Sequence, residues 1–299
     1  MPRAVVTQGT FDGVHAGHKK ILSKLCDRAK QLNGESVVLS FFPHPRMVLF
    51  PHDESIKLIN SLDENIELLS RAGIEHLIVL EFNQKIANYT ALHFVRDILI
   101  NTIGAKHLIV GYDHRFGHNR EGSFTNLTDY ASLYDFTLEQ INEVDINDIT
   151  VSSTKIRKAI LQGDMETASS YLQHHFSIQG MVTEGNKLGR TIGFPTANIK
   201  IIEAYKIIPA DGVYAVYVTV DDTRFIGMLN IGNRPTINGI TRVIEVNIDN
   251  FDANIYHKKI RVELVKRIRD EQKFSTLEDL KKQLLIDRQT VKEILNSKG

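Results

Sequence analysis

Gly9-Thr10-Phe11-Asp12-Gly13-Val14-His15-Ala16-Gly17-His18 follows a strand-like run, Arg3 to Thr7, and opens a helical one, His15 to Gln31, with Gly34 just past its end. A strand, a glycine-bearing turn and a helix in that order make an anion site. Gly9, Gly13 and Gly17 let the backbone approach a phosphate closely, and free N–H groups with the helix dipole favour negative charge there. His15 and His18 are three apart, so both imidazoles project from one face of the first helical turn. As donors they can stabilise charge developing on an α-phosphate. Attack on phosphate needs no protein nucleophile. By itself the run reads as a nucleotidyl-transfer site for ATP with the acceptor left open.

Outward from this run, short β-rich stretches alternate with helical patterns. Ser36 to Phe42 reads as a second, buried strand. Ser61 can cap a helix to Ala72, with Gly73 as its stop, and Ile74 to Phe82 is again strand-like. Thr90 opens a helix closed by Gly104, ahead of a strand at His107 to Gly111. Ser123 to Tyr134 is helical and Phe136 to Glu143 extended. This alternation predicts a parallel, doubly wound sheet, in which ligands sit at the carboxyl ends of the strands.

From about Phe176 period-two runs dominate: Val213 to Val220, Phe225 to Ile231, Val243 to Ile248 and Lys259 to Val265. Asp221-Asp222, Gly232-Asn233 and Asn238-Gly239 stand between them as turns. The pattern predicts a small antiparallel barrel or sandwich. A final helix opens at Ser275-Thr276-Leu277-Glu278, which fits a capping box. The boundary is expected at residues 173 to 178, after a short helical connector, giving domains 1–175 and 176–299.

Composition limits the function classes. Lys plus Arg equals Asp plus Glu, 36 each, so no global field favours nucleic acid or an anionic membrane. A single cysteine, Cys26, excludes an intramolecular disulfide and a cysteine-based zinc site. Met1-Pro2-Arg3 has no signal-peptide pattern, and no apolar run approaches the ~20 residues that span a bilayer. A cytoplasmic two-domain protein is expected.

Five further segments carry chemistry. Phe42-Pro43-His44-Pro45 reads as a turn whose prolines fix the orientation of His44. Gly111-Tyr112-Asp113-His114-Arg115-Phe116-Gly117 is a strand-to-helix loop with basic residues. Val151-Ser152-Ser153-Thr154-Lys155-Ile156-Arg157 is a helix N-terminus that groups hydroxyls and cations, suited to β- and γ-phosphates. Gly185-Asn186-Lys187-Leu188-Gly189-Arg190-Thr191-Ile192-Gly193-Phe194-Pro195-Thr196-Ala197-Asn198 suggests a mobile loop over a nucleotide. In it, the Thr196 hydroxyl and Asn198 carbonyl are hard ligands for a partly hydrated Mg²⁺. Glu245 alternates with Ile244 and Val246, so it faces away from them and, in a cleft, can act as general base on a primary hydroxyl. Taken singly, each segment is also an ordinary turn, cap or solvated strand position.

Together these strings resemble the bacterial bifunctional riboflavin kinase/FMN adenylyltransferase (FAD synthetase) family, over nearly the whole chain. The resemblance implies a Rossmann-like nucleotidyltransferase domain, α/β with a parallel sheet, followed by a riboflavin-kinase-like barrel with a terminal helix. It implies that riboflavin and ATP give FMN, and that FMN and ATP give FAD and pyrophosphate. Gly9, Phe11, Gly13, Asp113, Ser153, Thr154 and Arg157 then bind ATP around His15 and His18, with His44 and Arg115 positioning flavin or phosphate. Gly189, Arg190, Gly193, Thr196 and Asn198 serve Mg-ATP, and Glu245 activates the ribityl 5′-hydroxyl. The chain departs from the family pattern at His114, Thr150, Asn247, where histidine is frequent, and His257, where glycine is common. A single-function member and a non-catalytic flavin sensor are the alternatives. A class I aminoacyl-tRNA synthetase is disfavoured by size, neutral charge and the lack of a K-M-S-K-S-like run.

Overall fold

The computed structural model describes residues 3–53, 55–111, 115–141, 151–185, 188–236 and 239–296. The chain divides into two compact units, Met1–Ser153 and Thr154–Gly299.

The first unit is built on five parallel strands in the order β3-β2-β1-β4-β5. These are β1 Ala4–Gln8, β2 Glu35–Phe42, β3 His76–Glu81, β4 Ala105–Gly111 and β5 Thr137–Ile141. Strand alternation sends Ala4, Val6, Leu39 and Leu108 into one buried cluster and Val5, Val38 and Ile109 into another. Both sheet faces are therefore covered, as a doubly wound fold requires. Helix α1, Ala16–Gln31, packs Leu22 and Leu25 on the second face, each such burial being worth about 1.5–3 kcal/mol. The Ser61 cap is a full capping box with Glu64, and Leu62–Arg71 ends before Gly73 at φ 83°. The segment between Thr90 and Gly104 is helical, but winds as π-helix over Phe94–Ile103. Strand order reverses between β1 and β4, so the loops after those strands define the switch point where ligands bind.

The position of α1 matters because its N-terminus carries both histidines. Lys24 (2.8 Å) and Arg28 (2.7 Å) on α1 pair with Glu139 of β5, which His107 of β4 also meets at 3.3 Å. Burial raises the Glu139 pKa, but hydrogen bonds from Lys24 and Arg28 outweigh it and hold the group down at about 2.

The second unit closes six antiparallel strands into a barrel, β10-β7-β6-β11-β8-β9, which leaves no sheet edge open. They are β6 Phe176–Thr183, β7 Ala197–Lys200, β8 Gly212–Val220, β9 Thr223–Thr236, β10 Gly239–Ile248 and β11 Lys259–Arg269. Asp221 and Asp222 both take positive φ, 45° and 64°, and form the tight hairpin between β8 and β9. Gly232-Asn233 is not a turn: β9 runs through it, paired with Val243 and Arg242 of β10. A side chain at 232 would displace the Glu271 carboxylate, which lies over the glycine. The helix Ser153–Gln162 leads into this unit and Met165–Leu172 packs on the barrel, where Lys266 of β11 meets Glu166 at 3.1 Å.

The C-terminal helix, Leu277–Asn296, covers one barrel face, with Val291 and Leu295 packed among Phe194, Ala215, Met228 and Val265. Its cap is Thr276, which accepts the Asp279 N–H at 3.1 Å, so the box is shifted by one residue from Ser275 and Glu278. Asp287, 2% exposed, binds Arg269 at the end of β11 with contacts of 2.7 to 3.0 Å. That buried pair ties the helix to the end of β11; removing one partner would leave an uncompensated buried charge.

The Glu139 cluster gives a signed pH dependence. A depressed carboxylate contributes stability that is present above its unfolded value of about 4.5 and lost as pH falls toward about 2. Glu139→Gln should lower the melting temperature at neutral pH and flatten the acid limb of stability between those values, as read by thermal denaturation across pH.

Candidate functional site

The turn after β1 is held in a conformation that its sequence does not favour. Phe11, Gly13 and Val14 all take positive φ, 47°, 90° and 40°. For a β-branched residue this is a true outlier, and such strain persists only where the surroundings over-determine it. Three restraints do so here. The Phe11 and Val14 side chains are buried in the core under α1. The buried Asp12 carboxylate accepts the Ile59 N–H at 2.9 Å and the Asn60 N–H at 3.1 Å. Asn65 Nδ2 donates to the Thr10 carbonyl at 3.0 Å.

This turn presents His15 and His18. His15 is the N-cap of α1 rather than its first residue, and its Nδ1 accepts the His18 N–H at 3.4 Å. Its proton, when the ring is neutral, is then on Nε2. The rings stack with centroids 3.6 Å apart and planes 16° from parallel, and Phe11 meets His18 edge-on at 5.2 Å. Burial, then the neighbouring His15, pushes the His18 pKa well below its ordinary value, so His18 is uncharged at neutral pH. His18 Nδ1 is buried with no hydrogen-bond partner among the described residues. An orphaned buried ring nitrogen needs a partner from outside the described residues, and a helix N-terminus favours an anion.

Ser153 Oγ donates to the Asp12 carbonyl at 3.1 Å, so that hydroxyl braces the turn. Thr154 and Arg157 follow on the same helix, in the second compact unit. Asp113, with Tyr112, His114 and Thr150, lies outside the described residues. Pro43-His44-Pro45 is more than a turn: His44 caps the short helix Pro45–Leu49, its Nδ1 accepting the Arg46 N–H at 3.2 Å. A cavity of about 290 Å³ lies between Gln8, Phe41, Pro45, Phe82, Phe94 and Arg115. It gathers four phenylalanines, Phe41, Phe82, Phe94 and Phe116, from separate stretches of the chain, a grouping that sequence inspection passes over.

In the barrel, register assembles the second site. Glu245 of β10 pairs with Asn198 of β7 on one side and Asn230 of β9 on the other, and Asn230 pairs with Val213 of β8. Directly paired side chains share a sheet face, so these residues form one row. The whole row lines a cavity of about 480 Å³, with Gly189, Thr196 and Asn247 beside it. Phe274, Leu277, Leu280 and Leu284 give it an apolar stretch, beside Arg269, Glu271 and Gln272. A second cavity of about 490 Å³ is lined by Arg190, Pro195, Asn254 and Tyr256. Thr196 borders both. Leu188–Thr191 is one helical turn, and Gly193 takes φ 83° as the chain returns toward Pro195. At Gly185 a side chain would collide with Asn198, so glycine there keeps the Asn198 amide in place. His257 takes φ 63°, the conformation for which glycine is the easy choice.

The FAD synthetase family model matches residues 1–155 and the riboflavin kinase family model residues 172–295. The bifunctional riboflavin kinase/FMN adenylyltransferase of Escherichia coli (strain K12) is 37% identical over 290 residues, covering 97% of this chain and 92% of that one. This chain belongs to that family. The Haemophilus influenzae bifunctional riboflavin kinase/FMN adenylyltransferase is 38% identical over 293 residues, 98% of this chain and 94% of that one. A Streptococcus pneumoniae chain whose crystal structure is described as a macrolide-efflux protein superimposes with a TM-score of 0.86 at 32% identity, covering 98% and 95%. That description belongs to the pneumococcal chain. Among the described residues here, no helix is long and apolar enough to cross a membrane.

Of the residues read from the motifs of this bifunctional enzyme, the structure gathers Gly189, Thr196, Asn198 and Glu245 around one cavity, and His15, His18 and Phe11 at one helix start. Arg190 lies on the neighbouring cavity and Arg115 on the aromatic one. Asp12 is the residue that motif reading leaves without a role, because its partners lie 47 and 48 positions away. Asp12→Ala should strip the acceptor from two buried N–H groups, destabilising the first unit by about 1–3 kcal/mol. FAD formation from FMN should fall while riboflavin phosphorylation in the same preparation is retained, checked by flavin chromatography.

Proposed function

We propose that the cavity behind the Asn198–Glu245–Asn230 row and its neighbour across Thr196 are the kinase site, and that the strained turn with His15 and His18 is the adenylyltransferase site. The observation that carries the reading is that row. It sets a carboxylate at the wall of a cavity of about 480 Å³ that has an apolar stretch, beside a hydroxyl shared with a second cavity. The chain makes FMN from riboflavin and FAD from FMN.

In the kinase site, the apolar stretch takes the flavin ring and Glu245 faces the ribityl chain. Glu245 removes the 5′-hydroxyl proton as that oxygen forms a bond to the γ-phosphorus, and the bond to the β-phosphate oxygen breaks to release ADP. Gly189, Arg190 and Gly193 hold the nucleotide from the other side. Thr196 and Asn198 fit Mg²⁺, since a hydroxyl and an amide carbonyl are hard oxygen donors. When bound with ATP, the ion supplies charge neutralisation on the phosphates.

In the adenylyltransferase site, an FMN phosphate oxygen attacks the α-phosphorus of ATP and pyrophosphate leaves. Gly9, Phe11 and Gly13 shape the phosphate cradle. His15 and His18 donate to the α-phosphate oxygens as charge builds there. An incoming polyphosphate supplies the partner that His18 Nδ1 lacks and favours its charged form. Asp113, Ser153, Thr154 and Arg157 hold the remaining phosphates and nucleoside, and His44 and Arg115 position FMN, whose ring suits the aromatic cavity. We place the adenylyltransferase in residues 1–175 and the kinase in 176–299, supported by family matches that end at 155 and begin at 172. ATP as the shared substrate supports a cytoplasmic enzyme.

Incubating the protein with riboflavin, ATP and Mg²⁺ and separating the flavins tests this directly. Glu245→Gln should abolish FMN formation but leave FAD synthesis from added FMN. His15→Ala should cut adenylyl transfer by on the order of 10²-fold while sparing the kinase. Either change disabling both reactions in a well-folded protein would overturn the two-site assignment.

A further inference from the structure

Asn247 stands two residues beyond Glu245 on β10, on the same strand face, and is 8% exposed. Its Nδ2 donates to the Pro195 carbonyl at 2.7 Å. The β7–β10 ladder pairs Asn198 with Glu245 and Ala197 with Val246, and β7 begins at Ala197. Pro195 has no N–H with which to continue that ladder. The backbone just before it is the turn that delivers Thr196. Phe194 N–H closes back on the Gly189 carbonyl at 2.8 Å, so this turn is folded on itself. The Asn247 amide thus occupies the place where ladder pairing gives out, and ties the turn to the strand that carries Glu245.

The tie also spans the two cavities. Asn247 lines the one with Glu245, Pro195 lines the other, and Thr196 borders both. We infer that Asn247 is a positioning residue for phosphoryl transfer: its amide N–H fixes the Pro195–Thr196 turn relative to Glu245, so that the nucleotide meets the hydroxyl it phosphorylates. Its action is indirect, through the carbonyl of Pro195. The inference rests on the reading of Thr196 as a nucleotide-holding residue. A side chain that keeps a donor near this carbonyl preserves the function, and one that faces it with an acceptor or a methyl group does not.

The experiment uses the full chain with riboflavin, ATP and Mg²⁺, comparing N247D, N247L, N247H and T196A. N247D and N247L should lose about tenfold or more in kcat/KM for ATP, the size expected for one buried hydrogen bond. The Mg²⁺ dependence should shift to higher concentration, with the KM for riboflavin within about twofold of the parent. N247H, whose ring N–H can donate, should recover most of the loss. FAD formation from added FMN and the melting profile report folding in each preparation. If N247D does not fold, the N247L and N247H pair still decides. Equal activity of N247L and N247H, or a loss confined to the KM for riboflavin, would overturn the positioning role. T196A at the parental rate would instead remove the Thr196 assignment, whereas an impaired T196A beside fully active Asn247 variants would sink this inference alone.

Discussion

A buried carboxylate that accepts backbone N–H groups from a distant segment is the constraint on which the first half of this protein turns. Three consecutive-region positive φ values, at Phe11, Gly13 and Val14, would relax in an isolated peptide. Asp12, anchored to Ile59 and Asn60, prevents that, and the burial of Phe11 and Val14 supplies the apolar counterpart. The consequence is a helix start whose N-cap is an imidazole. A serine or aspartate cap would satisfy the backbone equally well. A histidine cap also places a second ring, His18, in stacked contact and leaves one buried nitrogen of that ring without a partner among the described residues. Strain, capping and the stacked imidazoles are here the same few residues.

The second half reaches its site by a different physical route. No strained turn is needed, because strand register does the placing. Pairing of β7, β10, β9 and β8 brings Asn198, Glu245, Asn230 and Val213 into one row. The C-terminal helix and the segment before it then roof that row with apolar side chains. The Arg269–Asp287 pair ties the helix to the end of β11. A register slip of one residue would send Glu245 to the opposite face and replace it with an aliphatic residue, so the site and the fold share one determinant.

Much of the architecture was legible locally. Local patterns marked the five sheet strands and β8 to β11 but not β6 or β7, and Ser61, Ser123 and Gly104 marked helix ends that the structure places within a residue. Legibility failed where local cues competed with long-range pairing. Gly232-Asn233 looks like a turn, yet β9 continues through it because β10 pairs with it and Glu271 approaches the glycine. The C-terminal cap moved from Ser275 to Thr276 because both hydroxyls have an acid three residues on, and the packing of the helix chooses between them. The π-wound segment Phe94–Ile103 carries no sequence mark that separates it from an α-helix.

What the sequence alone determined was chemistry carried by contiguous residues: the glycines and histidines of the first turn, the Pro-Thr-Ala-Asn string, and an alternating strand with a lone glutamate. Such groups act through neighbours a few positions away, and their spacing is enough to show it. The tertiary structure decided everything that depends on two distant segments meeting. The Asp12 clamp, the aromatic cavity beside Arg115, the row around Glu245 and the Asn247 tie to Pro195 each join residues tens of positions apart. Hydrogen bonds and buried contacts of that kind are fixed by sheet order and strand register, and neither is written in any local stretch of the chain.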